Sequence, residues 1–408
     1  MTKPLKIKPV KTAKPNPGAK VLTLIRKNTI DSMDELASLI EGMLMEGQTE
    51  MLKATLSKAT PEESEHLTGL IYSCVVNPIV ANTRDGKVMQ SWLFAIPVLM
   101  IGDVPASDAI SQMPGFERIT TAIKKSGLVA EHGPLAVTRP YLYSAHELLN
   151  AEYSDVYKLS EKMLAVLRGE SVPAKDLLET HPLKKVKNQK FPVLSLRYLV
   201  GAVFDDVQNE DCFLNPDIEL SEPDDKALAA HTKIMEEALY SVIGEDAVAS
   251  EDYQPTPFYI GLGLGLIEFY GLELSLGLAM TLKRKGLSEK TVKAIVSFHF
   301  DQKEGRRIQV GFVSKLNEDL VYGHSFKMEE VTSFLGDEWA NELVLDAIQE
   351  LTTEMEIIPG QHPVESCDDC GTPVYMTADG EFDLHLKDDD DGLVLPFNAD
   401  SSRARVLH

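Results

Sequence analysis

The chain has 408 residues, 44% hydrophobic and 25% charged, with a formal net charge of -23 and four cysteines. That is enough apolar material for a large core, arranged as two or three domains or one repeated architecture. The negative balance argues against a general nucleic-acid binder, which needs Lys and Arg on one face. Four cysteines are too few for a disulfide framework, so the expected setting is a reducing cytoplasm.

Lys3, Lys6, Lys8, Lys11, Lys14 and Lys20 are interleaved with Pro4, Pro9, Pro15 and Pro17, with no acid among them. Lysine and proline without aliphatic periodicity predict a disordered basic tail over 1–27. It is the one segment suited to tether an acidic partner or nucleic acid. No apolar core follows these lysines, so no secretory signal is expected.

Residues 28–78 read as a helical cap. Met33, Leu36, Ile40 and Met43 form one stripe at helical spacing. Thr60-Pro61-Glu62-Glu63 predicts a helix start, with Thr60 as cap, Pro61 at the first helical position and Glu63 completing a capping box. Leu67, Leu70, Ile71 and Cys74 then form the buried face, which makes Cys74 a small core residue rather than a nucleophile.

Residues 79–183 read as a first α/β repeat. Strand-like runs flank a turn signal at Asp85-Gly86, and Trp92–Ile101 is nearly all apolar, as in a strand buried on both faces. Pro97 inside it predicts an edge position or a bulge. A helix over Phe116–Ser126, a strand over Leu135–Tyr143 and a second helix complete the unit. The lysine-rich stretch Lys184–Lys190 is the expected linker to a second repeat over 190–286. This has a strand over Leu194–Phe204, an acidic loop over Asp205–Asp225 holding Cys212, a helix over Ala227–Ile243 and a strand over Thr256–Ile260. A Gly-rich helix follows. The segments Pro140–Gly169 and Pro257–Gly286 have the same length and align without a gap.

Phe258–Leu282 is long enough to span a bilayer. Glu268 and Glu273 would then lie near its centre, where charges are costly, so the expectation is a buried helix and no membrane. Gly261, Gly263 and Gly265 superficially resemble a dinucleotide loop. They alternate with leucine and no strand ending in an acid follows at the right distance, so close backbone packing is the expected cause. A third, partial repeat over 287–358 has strands at Val292–Phe300, Arg307–Val313 and Leu320–Phe326, a turn at Glu304-Gly305, a helix over Glu329–Thr353 and a strand at Met355–Ile358. The expected fold class is α+β: repeated strand–helix–strand units forming mixed sheets, a helical N-terminal cap, a zinc-knuckle-like segment over 359–387 and an acidic tail over 388–408.

The strongest chemical signal is Cys367-Asp368-Asp369-Cys370-Gly371. Two thiolates at Cys-x-x-Cys spacing grip one zinc ion, and the glycine lets the backbone turn so that N–H groups face the sulfurs. A structural site needs four ligands; His362 and His385 are near enough in sequence to complete it, or a dimer supplies a second cysteine pair. Two other readings stay open. One is a redox pair, against which Gly371 and Pro373 argue by ending any helix and Asp368 and Asp369 by raising the thiol pKa values; the other is a pair of plain surface thiols. Asp388–Asp391 suits a hard divalent cation by ligand type but reads better as a solvated run of like charge. His66, His132, His146, His181, His231, His299 and His324 are scattered, without HExxH or GxSxG, and no catalytic constellation is visible.

At CDDCGTPVY, followed by DGEF and His385, the chain resembles an uncharacterised betaproteobacterial family known only as a domain of unknown function. Its members end in a Cys-Asp-Asp-Cys-Gly segment, a small strand, a Gly-Glu turn, a histidine and an acidic tail. RPYLYS at Arg139–Ser144 and RYLVGAV at Arg197–Val203 also resemble it. The similarity spans about Ile30 to Lys387; His385 falls slightly later than the family pattern places its histidine. The resemblance implies that the end motif is a family feature and implies no activity. The expected function is therefore a non-enzymatic cytoplasmic binding or scaffold protein with a structural zinc and with protein partners or self-association. The contrary expectation is a small-ligand sensor or enzyme with a pocket between the repeats, near His146, the Gly261–Gly265 backbone or His299.

Overall fold

Helix begins earlier than the lysine-rich composition predicts. The computed structural model describes residues 16–76, 89–101, 117–125, 135–136, 142–167, 194–206, 225–243, 253, 255–301, 305–368 and 371–384. Within these, Pro17–Lys27 (α1) is helical, so the tail expected over 1–27 is corrected for its last eleven residues. The Asn16 side chain accepts the Gly18 N–H, Pro17 takes the first turn, and Val21, Leu24 and Ile25 are buried at helical spacing. Lysine content masked that short stripe. Ile30–Met45 (α2), Thr49–Leu56 (α3) and Pro61–Val76 (α4) follow, and Gly47 in the left-handed region separates the first two. Thr60 and Glu63 form the reciprocal capping box at the start of α4.

Met89–Ile101 (β1) and Leu194–Asp206 (β4) pair antiparallel in one register over their full lengths. Between them come Glu117–Lys125 (α5), the short strands Leu135–Ala136 (β2) and Leu142–Ser144 (β3), Ala145–Leu149 (α6) and Tyr153–Leu167 (α7). After β4 come Asp225–Ile243 (α8), Thr256–Pro257 (β5) and Phe258–Lys285 (α9). Strands β2 and β3 pair with β4, and β5 with β1, completing the first sheet. Both faces of β1 are buried. Leu93, Ala95 and Leu99 join the main core, while Phe94, Ile96, Val98 and Met100 pack with Ile119 and Ile123 of α5 and Met235 and Leu239 of α8. Pro97 pairs with Tyr198 in an unbroken register with β4, so no bulge forms there, and it lies beyond the two β1 residues that β5 reaches. The Asp85-Gly86 turn, the Lys184–Lys190 linker and the loop holding Cys212 lie outside the described residues.

The second sheet is a meander of Val292–Asp301 (β6), Gly305–Ser314 (β7) and Leu320–Lys327 (β8). The chain then passes through Glu329–Leu335 (α10) and Asp337–Gln349 (α11) and returns as Met355–His362 (β9), parallel to β6. One helix was expected over Glu329–Thr353; Gly336, at φ 81, divides it. The element order here, three strands, two helices and a strand, differs from that of 89–167 and 194–285. The architecture is α+β, with one antiparallel and one mixed sheet and a small C-terminal hairpin.

Helix α9 is the common core of both sheets. Five glycines lie inside it (Gly261, Gly263, Gly265, Gly271 and Gly277), each costing a helix roughly 1 kcal/mol relative to alanine. Tertiary contact offsets that cost. A Cβ at Gly261 would lie 2.6 Å from the Ala95 carbonyl oxygen, and one at Gly265 would lie 2.7 Å from the Tyr198 ring. One at Gly277 would overlap the Tyr322 hydroxyl of β8. The glycines therefore let the helix lie against β1 and β4 with its first half and against β8 with its second, which leaves no room for a cofactor at Gly261–Gly265. Tyr198 donates its hydroxyl to the Leu262 carbonyl at 2.8 Å. Phe258, Leu262 and Leu274 are fully buried, each worth roughly 1.5–3 kcal/mol. By length and composition α9 could cross a membrane, yet 61% of its apolar window is buried inside this fold. Tyr72 of α4 stacks on Tyr259 of α9 at 4.1 Å, and Tyr259 on Phe334 of α10 at 5.5 Å, tying the N-terminal helices to this junction. The segment aligned with α9 differs in continuity: α6 and α7 are broken at 150–152, whereas α9 runs for 28 residues.

Candidate functional site at the end of the second sheet

The predicted metal segment forms a tight hairpin. Ser366 bridges Pro373, the Cys367 N–H donates to the Thr372 carbonyl and the Gly371 N–H to the Cys367 carbonyl, both at 2.8 Å. Gly371 has φ 71, the left-handed region that a glycine occupies without strain. Cys367 is half-buried in this turn. Cys370 and His385 lie outside the described residues. His362, half-buried at the end of β9, directs Nε2 at the Pro359 carbonyl, 3.1 Å away. Among the described residues, no three of His, Cys, Asp and Glu come together as a metal site.

The hairpin is anchored through Tyr375–Met376 (β10) and Phe382–Leu384 (β11). Tyr375 and Met376 pack with Ile295, Val313, Leu320 and Ile358 on the outer face of the second sheet. Tyr375 fits because Gly311 and Gly323 leave its ring room.

Beneath the hairpin runs a row of buried polar side chains. Ser297, His299 and Gln309 are exposed by only 1–2%. The His299 Nδ1 lies 2.7 Å from the Pro363 carbonyl, and its Nε2 lies 2.7 Å from the Ser297 Oγ. A carbonyl can only accept, so Nδ1 carries the proton and Nε2 accepts from the serine hydroxyl. Burial pushes the His299 pKa down, outweighing the opposing Pro363 hydrogen bond, with nearby His362 adding to the decrease. The imidazole is therefore neutral at pH 7. This is the relation of a nucleophile to its base, but Phe382 closes over it with ring centroids 5.9 Å apart. As packed, the pair pins Pro363, the residue at which the chain leaves β9 for the hairpin.

Beside His299 a cleft of about 230 Å³ opens at the sheet end. Its walls include Phe298, His299, Arg306, Arg307, Asn341 and Gln361. A bulge shapes it: Ile358 pairs with Ser297 and Gln361 with Phe298, leaving Pro359 and Gly360 extra, with Gly360 at φ 94.

On the opposite, inner face of the sheet, Glu273 of α9 meets His324 of β8, with Oε2 and Nε2 3.7 Å apart. Glu273 is 2% exposed, and neither its Oε1 nor the His324 Nε2 has a hydrogen-bond partner. Burial raises the Glu273 carboxyl to about 8 and lowers His324 to about 4, so both are neutral at pH 7. Although their spacing meets a salt-bridge distance, desolvation favours the uncharged pair over an ion pair.

A family model described as Protein of unknown function (DUF2863) matches residues 32–391. The chain belongs to that family. The DUF2863 region thus begins in α2 and includes both sheets, α9, the cleft and the Cys367 hairpin. No curated protein and no solved structure matches the chain.

Of the residues predicted for a site in this DUF2863 chain, Cys367 and His362 are placed by the structure, and Cys370 and His385 fall outside its described part. Sequence reasoning missed Ser297, Glu273 and the cleft. A Ser-x-His pattern on a strand puts both side chains on one face, and that signal was available. The Glu273–His324 pairing had no local signal, since the partners sit on different elements.

Proposed function

We propose that the protein is a non-enzymatic cytoplasmic binding or scaffold protein whose C-terminal hairpin is clasped by a structural zinc ion. Cys367 and Cys370 would supply two thiolates and His362 and His385 the remaining ligands, or a second chain would supply a matching cysteine pair. The observation that carries this reading is the turn itself: a left-handed Gly371 whose N–H returns to the Cys367 carbonyl, inside a hairpin closed by the Ser366–Pro373 bridge. Such a turn suits the glycine that follows a cysteine pair in a zinc knuckle. A zinc there would stiffen a hairpin that otherwise rests on the Tyr375, Met376 and Phe382 contacts and the His299–Pro363 hydrogen bond. The partner on this reading is another protein or a second copy, and nucleic acid would enter only through the lysine-rich N-terminus. The burial of α9 between the sheets supports a water-soluble chain. Both 89–167 and 194–285 run from a long strand through a helix and short strand pairing to a helical segment, with two short strands and two final helices in the first and one of each in the second. That likeness supports an internal duplication.

Elemental analysis with native mass spectrometry tests the zinc clasp. One zinc per chain is expected, lost in the Cys367→Ser, Cys370→Ser double variant and weakened in His362→Ala. One zinc per two chains would assign the clasp to a dimer. Absence of zinc from protein prepared without chelator would overturn the proposal.

A further inference from the structure

The cleft at the bulged end of the second sheet has a chemistry unlike the rest of the chain. The sequence carries 63 acidic and 40 basic residues. Among the described residues, the cleft's charged lining is two arginines and one carboxylate, Arg306, Arg307 and Asp337, which reverses that balance. Asp337 forms an ion pair with Arg306 across the mouth. Arg307 is half-buried; its Nη1 donates to the Ser325 hydroxyl at 3.4 Å, and burial lowers its pKa against the opposing pull of Asp301 at the end of β6. Two side-chain amides, Asn341 of α11 and Gln361 beyond the bulge, also line the cleft. Among the described residues neither side-chain amide has a hydrogen-bond partner, so both can serve a ligand. His299 contributes a wall without charge.

We infer that this cleft binds a small oxyanion-bearing ligand, with its carboxylate or phosphate group held by the Arg307 guanidinium and the Asn341 and Gln361 amides. A cation is disfavoured, because the one lining carboxylate among the described residues, Asp337, is already matched by Arg306. An apolar occupant would strand the two amides without water. A guanidinium fork together with neutral N–H donors is the donor set that planar oxyanions take. Partial burial strengthens each contact relative to one in open solvent. Size narrows the class further: about 230 Å³ is below the roughly 300–1,000 Å³ of pockets for drug-sized ligands, which fits a dicarboxylate or a small phosphate ester. The bulge also has a purpose on this account, since Pro359 and Gly360 shift Gln361 into register with Phe298 at the cleft.

The test is thermal shift followed by calorimetry on the full chain, with inorganic phosphate and succinate as separate probes and sodium chloride at matched ionic strength as control. Saturable stabilisation by one probe and not by the salt is expected. Phosphate preference would identify phosphorylated ligands as the source, and succinate preference carboxylic acids. Arg307→Lys keeps the charge but loses the fork and should weaken binding about tenfold or more. Asn341→Leu, on a half-exposed helix position, should also weaken it while leaving the melting temperature of the free protein nearly unchanged. Failure of both probes to bind at millimolar concentration overturns the inference, as does binding that neither variant alters. The inference is independent of zinc: the Cys367→Ser, Cys370→Ser variant is expected to keep the anion, so the two readings fail separately.

Discussion

Replacing Glu273 by glutamine should flatten the alkaline side of the protein's stability profile. The carboxyl is buried without a partner for Oε1, and burial moves its midpoint from 4.5 to about 8. The folded-state value is raised, so the stability attached to this group is fully present below pH 4.5 and is lost as pH rises through 8. Over a window from about pH 5.5 to 8.5, some 2.5 pH units of that range are crossed, worth roughly 3 kcal/mol at 1.36 kcal/mol per unit. His324 works in the opposite sense. Its value is lowered from 6.5 to about 4, so its contribution is present above 6.5 and is lost as pH falls toward 4. It is common to both proteins and cancels in the comparison. Urea unfolding of wild type and Glu273→Gln at the two pH values measures the difference. The variant should gain roughly 3 kcal/mol on wild type between the acid and alkaline conditions, with an unchanged urea m-value. Parallel curves would show that Glu273 already ionises in the fold, and the account of a neutral pair at the seam of α9 and β8 would be wrong.

Two further substitutions test the packing. Gly271→Ala and Gly265→Ala, in the same helix, should move stability in opposite directions. At Gly271 the nearest atom to a new Cβ is the Ala347 methyl at 3.5 Å, so helix propensity dominates and the variant gains up to about 1 kcal/mol. At Gly265 the Cβ meets Pro97 and Tyr198 within 2.8 Å, and overpacking should cost about 1–3 kcal/mol; equal melting temperatures would remove the argument that these glycines exist for close approach. Thr60→Ala should cost about 0.5–2 kcal/mol by opening the capping box of α4, read by chemical denaturation, and no loss would mean the Glu63–Arg26 ion pair alone holds that helix start.

The sequence by itself determined the short-range features. Thr60 and Glu63 three residues apart specify a cap, and the unbroken apolar run of β1 specifies burial on both faces. The glycines of α9 announce close backbone contact, and Gly371 announces a turn after the cysteine pair. Each depends on neighbours within about one turn of helix or one strand, where spacing and backbone preference decide the outcome. That the chain belongs to an uncharacterised family was expected from its sequence, and the family model matches residues 32–391.

Only tertiary structure decided the rest. Helix α1 wins over its lysines because Val21, Leu24 and Ile25 find a core to enter. Whether α9 would serve one sheet or two was settled by Tyr198 and Tyr322, which come from different sheets and fill opposite ends of the same glycine-bearing helix. His299 looked like one of several scattered histidines until the carbonyl of Pro363, 64 residues on, selected its tautomer and directed it at Ser297. The Glu273–His324 pair and the arginine-lined cleft arise where separate elements meet. Local periodicity says which face of an element is buried but not which buried face it will meet, and the chemistry of this protein lies at those meetings.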